Sequence, residues 1–282
     1  MLEIKNITVC YGDRPTVSDF SMNLKQGQIA SLVGESGSGK TTVIRAVLGL
    51  LPGGGRVSEG DILFDGKSLL QNTPMEWRKL RGSEISMIFQ DSGAMLNPIR
   101  RIGDGFVEYI RTHEEISKQE AWKKGTAMLE KMRLAGAENI MQSYPFQLSG
   151  GMRQRVGIAM AMTYDPKLLL ADEPTSALDV TTQAQIVRQM MELRDTYGTS
   201  IIVVTHNLGV AAYMSDNIVV MRHGKIEDQG DREHILCHSE NAYTRTLLDA
   251  VPSLVKLIVP DSPSIPFGSL TGMDTVTGLP TK

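Results

Sequence analysis

The chain has 282 residues, enough for one large domain or two modest ones, and its hydrophobic content of 41% suffices for a core. Its net charge is −3, with acidic and basic residues interspersed and no polybasic run, so no nucleic-acid partner is expected. Cys10 and Cys237 lack disulfide or zinc-site spacing, and no signal peptide or bilayer-length apolar run is evident, which predicts a reducing, cytosolic location.

Two short alternating segments open the chain. Leu2–Val9 and Phe20–Leu24 alternate apolar and polar residues, and the stretch 11–15 between them reads as a loop. They predict an antiparallel β layer. Tyr11 is either a packed strand-end residue or a stacking platform for a purine ring, and its position alone favours packing.

A glycine-rich segment follows this layer. The apolar run Ile29–Val33 predicts a buried strand, and Thr42–Leu51 predicts a helix. Between them, Gly34–Thr41 matches G-x-x-x-x-G-K-[ST] in full. A chance glycine-rich turn is the alternative, and the strand-loop-helix context disfavours it. The segment is therefore predicted to be a phosphate-binding loop.

The residue types of this loop suit phosphate. Its glycines permit a tight turn, so that backbone N–H groups and a helix N-terminus converge on phosphate oxygens. Lys40 is expected to reach the β- and γ-phosphates, and the Thr41 hydroxyl to ligate Mg²⁺. The predicted nucleotide contacts are Gly34, Glu35, Ser36, Gly37, Ser38, Gly39, Lys40, Thr41 and Thr42.

The middle of the chain changes from strands to helices. Residues 58–66 and 85–89 predict strands, the second of which ends at Gln90. From Asn97 to about Tyr164 helical spacing dominates, and the clearest helix, Ile116–Met132, has a capping-box pattern at Ser117 and Glu120. This part is predicted to be an inserted helical subdomain.

The strands of the C-terminal half end in polar residues. Residues 167–172 are apolar up to the adjacent carboxylates Asp172 and Glu173, and after a predicted helix over 181–197 the run Ser200–Thr205 leads to His206. A further strand-turn-strand centres on residues 222–225. Alternating strands and helices predict a mostly parallel sheet, whose ligands bind outside the carboxyl ends of the strands.

These polar residues suggest roles in hydrolysis. Asp172 is placed to reach Mg²⁺, and Glu173 to orient and deprotonate the attacking water. Two acids at a strand end can instead cap the next helix. Gln90 and His206 are each compatible with a structural role. Only their position at strand ends beside the phosphate loop favours a functional role for them.

A second anion-binding device precedes a predicted helix. In Leu148–Arg155, Ser149 is followed by Gly150 and Gly151, which present backbone N–H groups and a helix dipole to phosphate. One ATP does not need two such devices from one chain. Each chain's second device is therefore expected to close on the ATP of another chain.

Residues 2 to about 250 resemble the ATP-binding subunits of ABC transporters. The motifs that carry the resemblance are the Walker A loop Gly34–Thr41, the Q-loop Gln90, the signature Leu148–Gln154, the Walker B strand Leu168–Asp172 with Glu173, the D-loop Ser176–Asp179 and the H-loop His206. The resemblance places Tyr11 at the family's adenine-stacking position and reverses the preference for packing. It also adds Asp179 to the nucleotide contacts and Gln90 to the metal contacts.

Within that family the chain is similar to the oligopeptide, dipeptide and nickel importers. Met152 stands where the signature usually has Gln, as is common in that branch, and residues 144–147 and 243–248 also look like it. The last motif departs at Asn241-Ala242, where the branch usually has His-Pro. No cysteine follows Cys237, so the iron–sulfur cluster of some members is not expected.

The resemblance implies an α/β P-loop NTPase (RecA-like) core over residues 1–90 and 165–235, with the N-terminal antiparallel β layer. It implies an inserted α-helical subdomain over 91–164 and a C-terminal extension over 236–282, of which the proline-rich stretch 253–282 is expected to be loose. The implied cofactors are ATP and Mg²⁺. Catalytic roles fall to Glu173, His206 and Gln90, and metal contacts to Thr41, Gln90 and Asp172.

The implied assembly is a head-to-tail pair of cassettes. Each ATP lies between the Walker A loop of one chain and the Ser149/Gly151 signature of the other, and closure moves the permease through the region 90–98. The implied partners are two transmembrane permease subunits, a second ABC ATPase (a homologue or a second copy) and, indirectly, a solute-binding protein, at the cytoplasmic face of the inner membrane. The alternatives are a soluble ABC ATPase acting on nucleic acid or ribosomes, and an exporter ATPase.

Overall fold

Two β-sheets organise the molecule. The computed structural model describes residues 1–90, 95–176 and 178–250. The strands are β1 (Leu2–Tyr11), β2 (Arg14–Leu24), β3 (Ile29–Val33), β4 (Arg56–Phe64), β5 (Lys67–Ser68), β6 (Ile85–Ile88), β7 (Leu168–Asp172), β8 (Ser200–Thr205), β9 (Asn217–Arg222) and β10 (Lys225–Asp231). The helices are α1 (Lys40–Val47), α2 (Pro74–Leu80), α3 (Ile102–His113), α4 (Lys118–Lys131), α5 (Ala137–Gln142), α6 (Gly150–Ala161), α7 (Val180–Tyr197), α8 (Leu208–Met214) and α9 (Ala242–Asp249).

The larger sheet has six strands in the order β10-β9-β3-β8-β7-β6. Neighbouring strands from β9 to β6 pair in parallel, and β10 pairs antiparallel to β9 at the edge. Every residue of β3, β7 and β8 is buried, which explains their continuous apolar sequences, because helices or the other sheet cover both faces. The predicted mostly parallel sheet is confirmed.

The smaller sheet is antiparallel, in the order β2-β1-β4-β5. The predicted β layer is confirmed, with Leu2 opposite Leu24 and Ile4 opposite Met22. The predicted loop from Tyr11 to Pro15 is too long, because only Gly12 and Asp13 separate the two strands. Gly12 has a φ of 61°, as tight hairpin turns require, so pairing continues to the turn.

Helix α1 lies between the two sheets. It contacts β1, β2 and β4 on one side and β7 and β8 on the other. The apolar cluster around it includes Phe20, Ile44 and Leu170, all fully buried. This packing holds the start of α1 at the carboxyl end of β3.

Helices α3 to α6 form the helical part between β6 and β7. Their core includes Phe106, Met128 and Leu129 and continues onto the face of the larger sheet. The capping box of α4 is present, because Glu120 N–H donates to Ser117 Oγ at 3.2 Å and Ser117 N–H to Glu120 Oε2 at 2.9 Å. The helix begins and ends close to the predicted limits.

Three α-helices of the described residues were not predicted from the sequence. Helix α2 has the same capping-box signal, Thr73 with Glu76, and a proline at its first position, so it could have been found. Helices α8 and α9 are short, with seven and eight residues, and too few turns carry their periodicity. The loose stretch predicted over 253–282 lies outside the described residues.

Candidate functional site

The phosphate loop joins β3 to α1 as predicted. At Gly34 φ is 152° and at Gly39 it is 101°, and both residues pack closely against other strands. A Cβ at Gly34 would lie 2.1 Å from the Met221 carbonyl oxygen, and one at Gly39 would lie 2.9 Å from Val17 Cγ2. These two glycines are therefore required by the protein's own packing, in addition to the turn predicted from the sequence.

The N-terminus of α1 has no side-chain cap. The first N–H groups of an α-helix have no partner within the helix, and the helix dipole places partial positive charge there. Since no acidic residue occupies the first turn, this end is suited to an anion.

The Lys40 side chain folds over the loop. It is 4% exposed, and its Nζ donates to the carbonyl oxygens of Gly34 at 2.7 Å and Glu35 at 2.6 Å and to Ser38 Oγ at 3.1 Å. Burial lowers the pKa of Lys40, and the carboxylates of Glu173, Asp172 and Glu35 oppose that shift. A positive charge is thus held directly above the loop.

The predicted metal contacts Thr41 and Asp172 meet. Thr41 Oγ1 donates to Asp172 Oδ1 at 2.8 Å, although the residues are 131 positions apart. Asp172 is 3% exposed, and burial raises the pKa of its carboxyl group, opposed by the Thr41 hydrogen bond and by the charge of Arg45.

The three predicted catalytic side chains form a second group beside this pair. Gln90 Nε2 donates to Glu173 Oε2 at 3.3 Å, and His206 Nδ1 lies 3.4 Å from the same oxygen. The Gln90 amide contacts Glu173, and its predicted metal contact stays a prediction. The His206 side chain is 65% exposed and that of Glu173 is 18% exposed.

The backbone of Glu173 is unusual. Its φ of 44° lies in the left-handed region, which costs a non-glycine residue free energy, and its N–H donates to the Val204 carbonyl oxygen at 2.9 Å. This conformation turns the chain sharply after β7. The adjacent side chains of Asp172 and Glu173 therefore serve the two different groups just described.

The signature residues lie at the start of α6. Ser149 caps the helix, accepting from Met152 N–H at 3.2 Å. A Cβ at Gly151 would lie 2.8 Å from Thr182 Cγ2 of α7, and one at Gly150 would lie 3.6 Å from Leu178 Cδ2, just before that helix. The signature thus packs against the N-terminal end of α7.

Asp179 has a defined local role. Its carboxylate accepts from Thr182 N–H at 3.0 Å and from Thr182 Oγ1 at 2.7 Å, and these bonds lower its pKa. It therefore caps α7. Its predicted nucleotide contact stays a prediction.

Tyr11 is half-buried at the end of β1. A Cβ at Gly55 would lie 2.6 Å from Tyr11 Cε1, so the ring rests against the backbone that follows α1. Its adenine-stacking role stays a prediction.

Two residues near the site were missed from the sequence. Arg153 Nη1 donates to the Leu148 carbonyl oxygen at 2.6 Å and so braces the signature turn. Tyr243, in α9, accepts a hydrogen bond from the Glu35 N–H of the phosphate loop. Tyr243 stood in a motif noted in the sequence, but no local pattern indicates a contact 208 positions away.

The parallel sheet, the phosphate loop and the carboxylates at the strand end define a P-loop nucleotide-binding cassette. The sequence model of the family described as "ABC transporter" matches residues 17–176. The chain belongs to the ABC transporter family, and this membership confirms the predicted ATPase that works in transport.

The relatives agree with this assignment. The chain is 42% identical to the dipeptide transport ATP-binding protein DppD of Lactococcus lactis over 259 residues, covering 90% of this chain and 74% of the relative. It is 40% identical to the oligopeptide transport ATP-binding protein OppD of Escherichia coli over 272 residues, covering 93% and 80%. The predicted resemblance to that branch is confirmed.

A solved structure supports the fold. The ATP-binding cassette MJ0796, in a dimeric post-hydrolysis state bound to ADP and Pi, matches with a TM-score of 0.72 and 29% identity, covering 82% of this chain and 99% of that one. Within the described ranges of the chain, no helix combines the length and the apolar character needed to cross a membrane.

Proposed function

We propose that this chain is the ATP-hydrolysing subunit of an importer for oligopeptides or dipeptides, working as one of two cassettes beneath a membrane permease. The observation that carries the proposal is the cluster at the carboxyl ends of β3 and β7, where the phosphate loop, Asp172 and Glu173 lie together. The peptide cargo follows from the names of the relatives, since the transported solute does not contact this subunit.

The phosphate loop and Lys40 would bind the triphosphate. Thr41 and Asp172 would hold Mg²⁺, because both offer oxygen ligands, and the buried carboxylate of Asp172 would gain from a neighbouring cation. The ion would neutralise charge on the phosphate oxygens. The remaining roles would fall to side chains of this chain. Lys40 would bind phosphate, and Glu173 would orient the attacking water and accept its proton.

Gln90 and His206 hold Glu173 in this scheme. Both contact its Oε2 atom, so they restrain the rotamer of the proposed base. His206 is exposed and can turn toward the terminal phosphate once nucleotide is bound. The left-handed backbone at Glu173 supports a functional role, because such strain persists where a defined side-chain position is required.

The signature completes the site of a second chain in this proposal. A Cβ at Gly150 would meet Leu178 and one at Gly151 would meet Thr182, rather than the phosphate loop of the same chain. A head-to-tail pair brings each signature to its partner's ATP, and contacts made only when the pair is closed let ATP favour closure. The partner cassette is a second copy or a homologue.

An apolar cleft offers a docking site for the permease. A cavity of about 270 Å³ lies between the end of α1, strand β6 and helix α6, and its lining includes Leu50, Ile88, Met95 and Met160. Leu50 is 44% exposed and Met95 is 57% exposed, although both are apolar. The lining continues from β6 to Phe89, next to Gln90, so a permease segment seated here would be linked to the nucleotide site.

These assignments divide the chain by role. Residues 1–90 and 165–235 would bind ATP, the helical part 91–164 would carry the signature and contact the permease, and the extension over 236–282 would follow the core. The protein would then sit peripherally at the cytoplasmic face of the inner membrane, held there by its permease.

The test is a mild-detergent purification of the tagged chain from its native membranes, followed by mass spectrometry. We expect two multi-span permease subunits, a cassette and a solute-binding protein. That binding protein is then titrated with dipeptides, with longer peptides and with nickel, and peptide affinity is expected. Recovery of ribosomes or nucleic acid without a permease would contradict the transport role, and nickel affinity alone would contradict the peptide cargo.

A further inference from the structure

Helix α9 is built to face the phosphate loop. Asn241 caps it, because Asn241 Oδ1 accepts from the N–H groups of Tyr243 at 2.9 Å and Thr244 at 3.0 Å. Asn241 Nδ2 also donates to the Glu227 carbonyl oxygen of β10 at 2.9 Å. The departure at Asn241 noted in the sequence thus supplies both a helix cap and an anchor to the sheet.

The helix has a second anchor on β10. The Asp228 carboxylate, whose side chain is 12% exposed, accepts from Thr244 Oγ1 at 2.9 Å and from Ser239 Oγ. Hydrogen bonds to an ionised acceptor are stronger than those between neutral groups. The first turn of α9 is therefore held in one orientation relative to the sheet.

This orientation places Tyr243 against the phosphate loop. Tyr243 is 9% exposed, and its phenolic oxygen accepts from the Glu35 N–H at 3.2 Å. The Arg222 guanidinium carbon lies 4.8 Å from the centre of the Tyr243 ring. Burial raises the pKa of Tyr243, so the phenol stays neutral at physiological pH.

The β9–β10 hairpin holds the same loop at two further points. Gly34 packs against the Met221 carbonyl oxygen, and Gly224 N–H donates to the Ser38 carbonyl oxygen at 3.1 Å. Within the loop, Lys40 Nζ donates to the Glu35 carbonyl oxygen. Tyr243 adds a further restraint, on the N–H of the exposed residue Glu35.

We propose that Tyr243 is a positioning residue for the phosphate loop, which raises the affinity for ATP by holding the Glu35 amide without contacting the nucleotide. A loop that is already ordered loses less conformational entropy when ATP binds. The inference rests on the proposed role of the phosphate loop in ATP binding.

The test compares Tyr243→Phe with Tyr213→Phe in the full chain. The first change removes the oxygen that receives the Glu35 N–H and keeps the ring over Arg222. The second makes the same chemical change at Tyr213 of α8, which packs against the core cluster of helices α3 to α6, whereas Tyr243 belongs to a different cluster, with Val33 and Leu208. Calorimetry measures the Kd for Mg-ATP, and hydrogen exchange with mass spectrometry follows a peptide spanning residues 34–40.

For Tyr243→Phe we expect the Kd for ATP to rise about threefold to tenfold, the range that loss of one net hydrogen bond produces. Amide exchange in the loop should accelerate, the unfolding midpoint should match that of the control, and kcat at saturating ATP should be unchanged. Asn241→Ala, which frees the start of α9, should move Kd in the same direction. If Tyr243 had only a structural role, Tyr243→Phe would lower the unfolding midpoint and leave amide exchange in the loop and the Kd for ATP unchanged.

Two comparisons distinguish a failure of the proposed ATP-binding role of the loop from a failure of the positioning role of Tyr243. Lys40→Ala should abolish measurable ATP binding, and if it does not, the proposed role of the loop is wrong. If Lys40→Ala behaves as expected and Tyr243→Phe binds ATP with the wild-type Kd, the positioning role of Tyr243 is overturned. Equal losses in the Tyr243 and Tyr213 variants would overturn it as well.

Discussion

At the scale of single residues, Glu173 combines a strained backbone with two polar neighbours that share one of its oxygens. Gln90 and His206 both approach Oε2, while the N–H of Glu173 is bonded to Val204. A side chain that only capped the following helix would need neither neighbour. In this structure the caps of that helix are supplied by Asp179, which removes the main structural alternative for Glu173.

Glu173→Gln tests the role of this residue as a base. The substitution keeps size and most hydrogen bonds but removes the proton acceptor, so turnover should fall by about 10²-fold or more while ATP still binds. ATP should also drive accumulation of a closed dimer. Measuring phosphate release and dimer formation by size-exclusion chromatography checks both. Turnover at the wild-type rate would rule out Glu173 as the base.

Asp172→Asn distinguishes the effect of Asp172 on Mg²⁺-dependent hydrolysis from its effect on the stability of the folded chain. Because burial raises the pKa of Asp172, the ionised carboxylate is disfavoured in the folded state, and its unfavourable contribution grows as pH rises above its ordinary pKa of 3.8. Asparagine keeps an acceptor for Thr41 and carries no charge. The nucleotide-free variant should therefore melt at a higher temperature than the wild type at pH 7.

The same variant should lose Mg²⁺-dependent hydrolysis. The difference in melting temperature should shrink as pH falls toward 4, since the wild-type carboxyl then takes up a proton. Thermal unfolding monitored by circular dichroism at several pH values measures it. A variant that is less stable than the wild type at pH 7 would contradict this electrostatic account of Asp172.

At the scale of elements, three helix N-termini carry residues of the candidate site, and they differ in how they are capped. Helix α1 has no side-chain cap, α6 is capped by Ser149 and α7 by Asp179. A free helix N-terminus is available to an anion, and one capped by a carboxylate is not. The uncapped start of α1 therefore supports its proposed role as the anion site of its own chain, and the proposal assigns the glycine amides of α6 to the partner's nucleotide.

Gly150→Asp tests the contribution of α6 to the partner's site, because a Cβ at Gly150 makes only an ordinary contact, 3.6 Å from Leu178 Cδ2. A carboxylate at the start of this helix would repel the terminal phosphate held by the second chain, so ATP-dependent dimerisation should be lost. Binding of ATP to the variant's own loop should stay within about twofold of the wild type. Gly105→Asp, in α3 where a Cβ meets no atom within 4 Å, is the matched control.

Dimerisation of the two variants is compared by chromatography in the Glu173→Gln background. Loss of the dimer with Gly150→Asp and its retention with Gly105→Asp is the expected pattern. Dimers that form equally well in both variants would mean that α6 does not contact the second chain's nucleotide.

At the scale of the whole molecule, two of the three core clusters of the described residues meet at the larger sheet. One cluster lies between the sheets around α1, and the other joins α3 to α6 with the opposite face. The apolar cleft at residues 50, 88, 95 and 160 lies where the helical part meets the core. A partner bound there would contact both parts, so it would respond to their relative movement.

Met95→Glu tests this cleft as the permease site. A carboxylate buried against an apolar partner carries a desolvation cost of about 1–3 kcal/mol or more, so co-purification of the permease should fall at least about tenfold. The Kd for ATP should not change. Met75→Glu is the control, because Met75 is 71% exposed on α2 and does not line the cleft. Equal recovery of the permease with both variants would place its docking surface elsewhere.

Local sequence patterns were sufficient for much of the fold. The turn of the phosphate loop, helix α1 and the cap of α4 at Ser117 depend on interactions between near neighbours in the chain, so they appear directly in the order of residues. The strands ending at Val33, Asp172 and Thr205 pair with distant strands, but both of their faces are buried, so they appear as continuous apolar runs. The cap of α2 at Thr73 carried the same kind of signal and was overlooked.

Contacts between distant segments could be identified only in the folded structure. The sequence indicated that Thr41, Asp172, Glu173, Gln90 and His206 share one edge, but not that Gln90 pairs with Glu173 rather than with the metal residues. Nor did it indicate that Gly34 and Gly39 are held by Met221 and Val17, or that Tyr243 meets Glu35. Such contacts depend on how strands and helices pack over separations of up to 208 residues, and no periodic pattern of side chains encodes that packing.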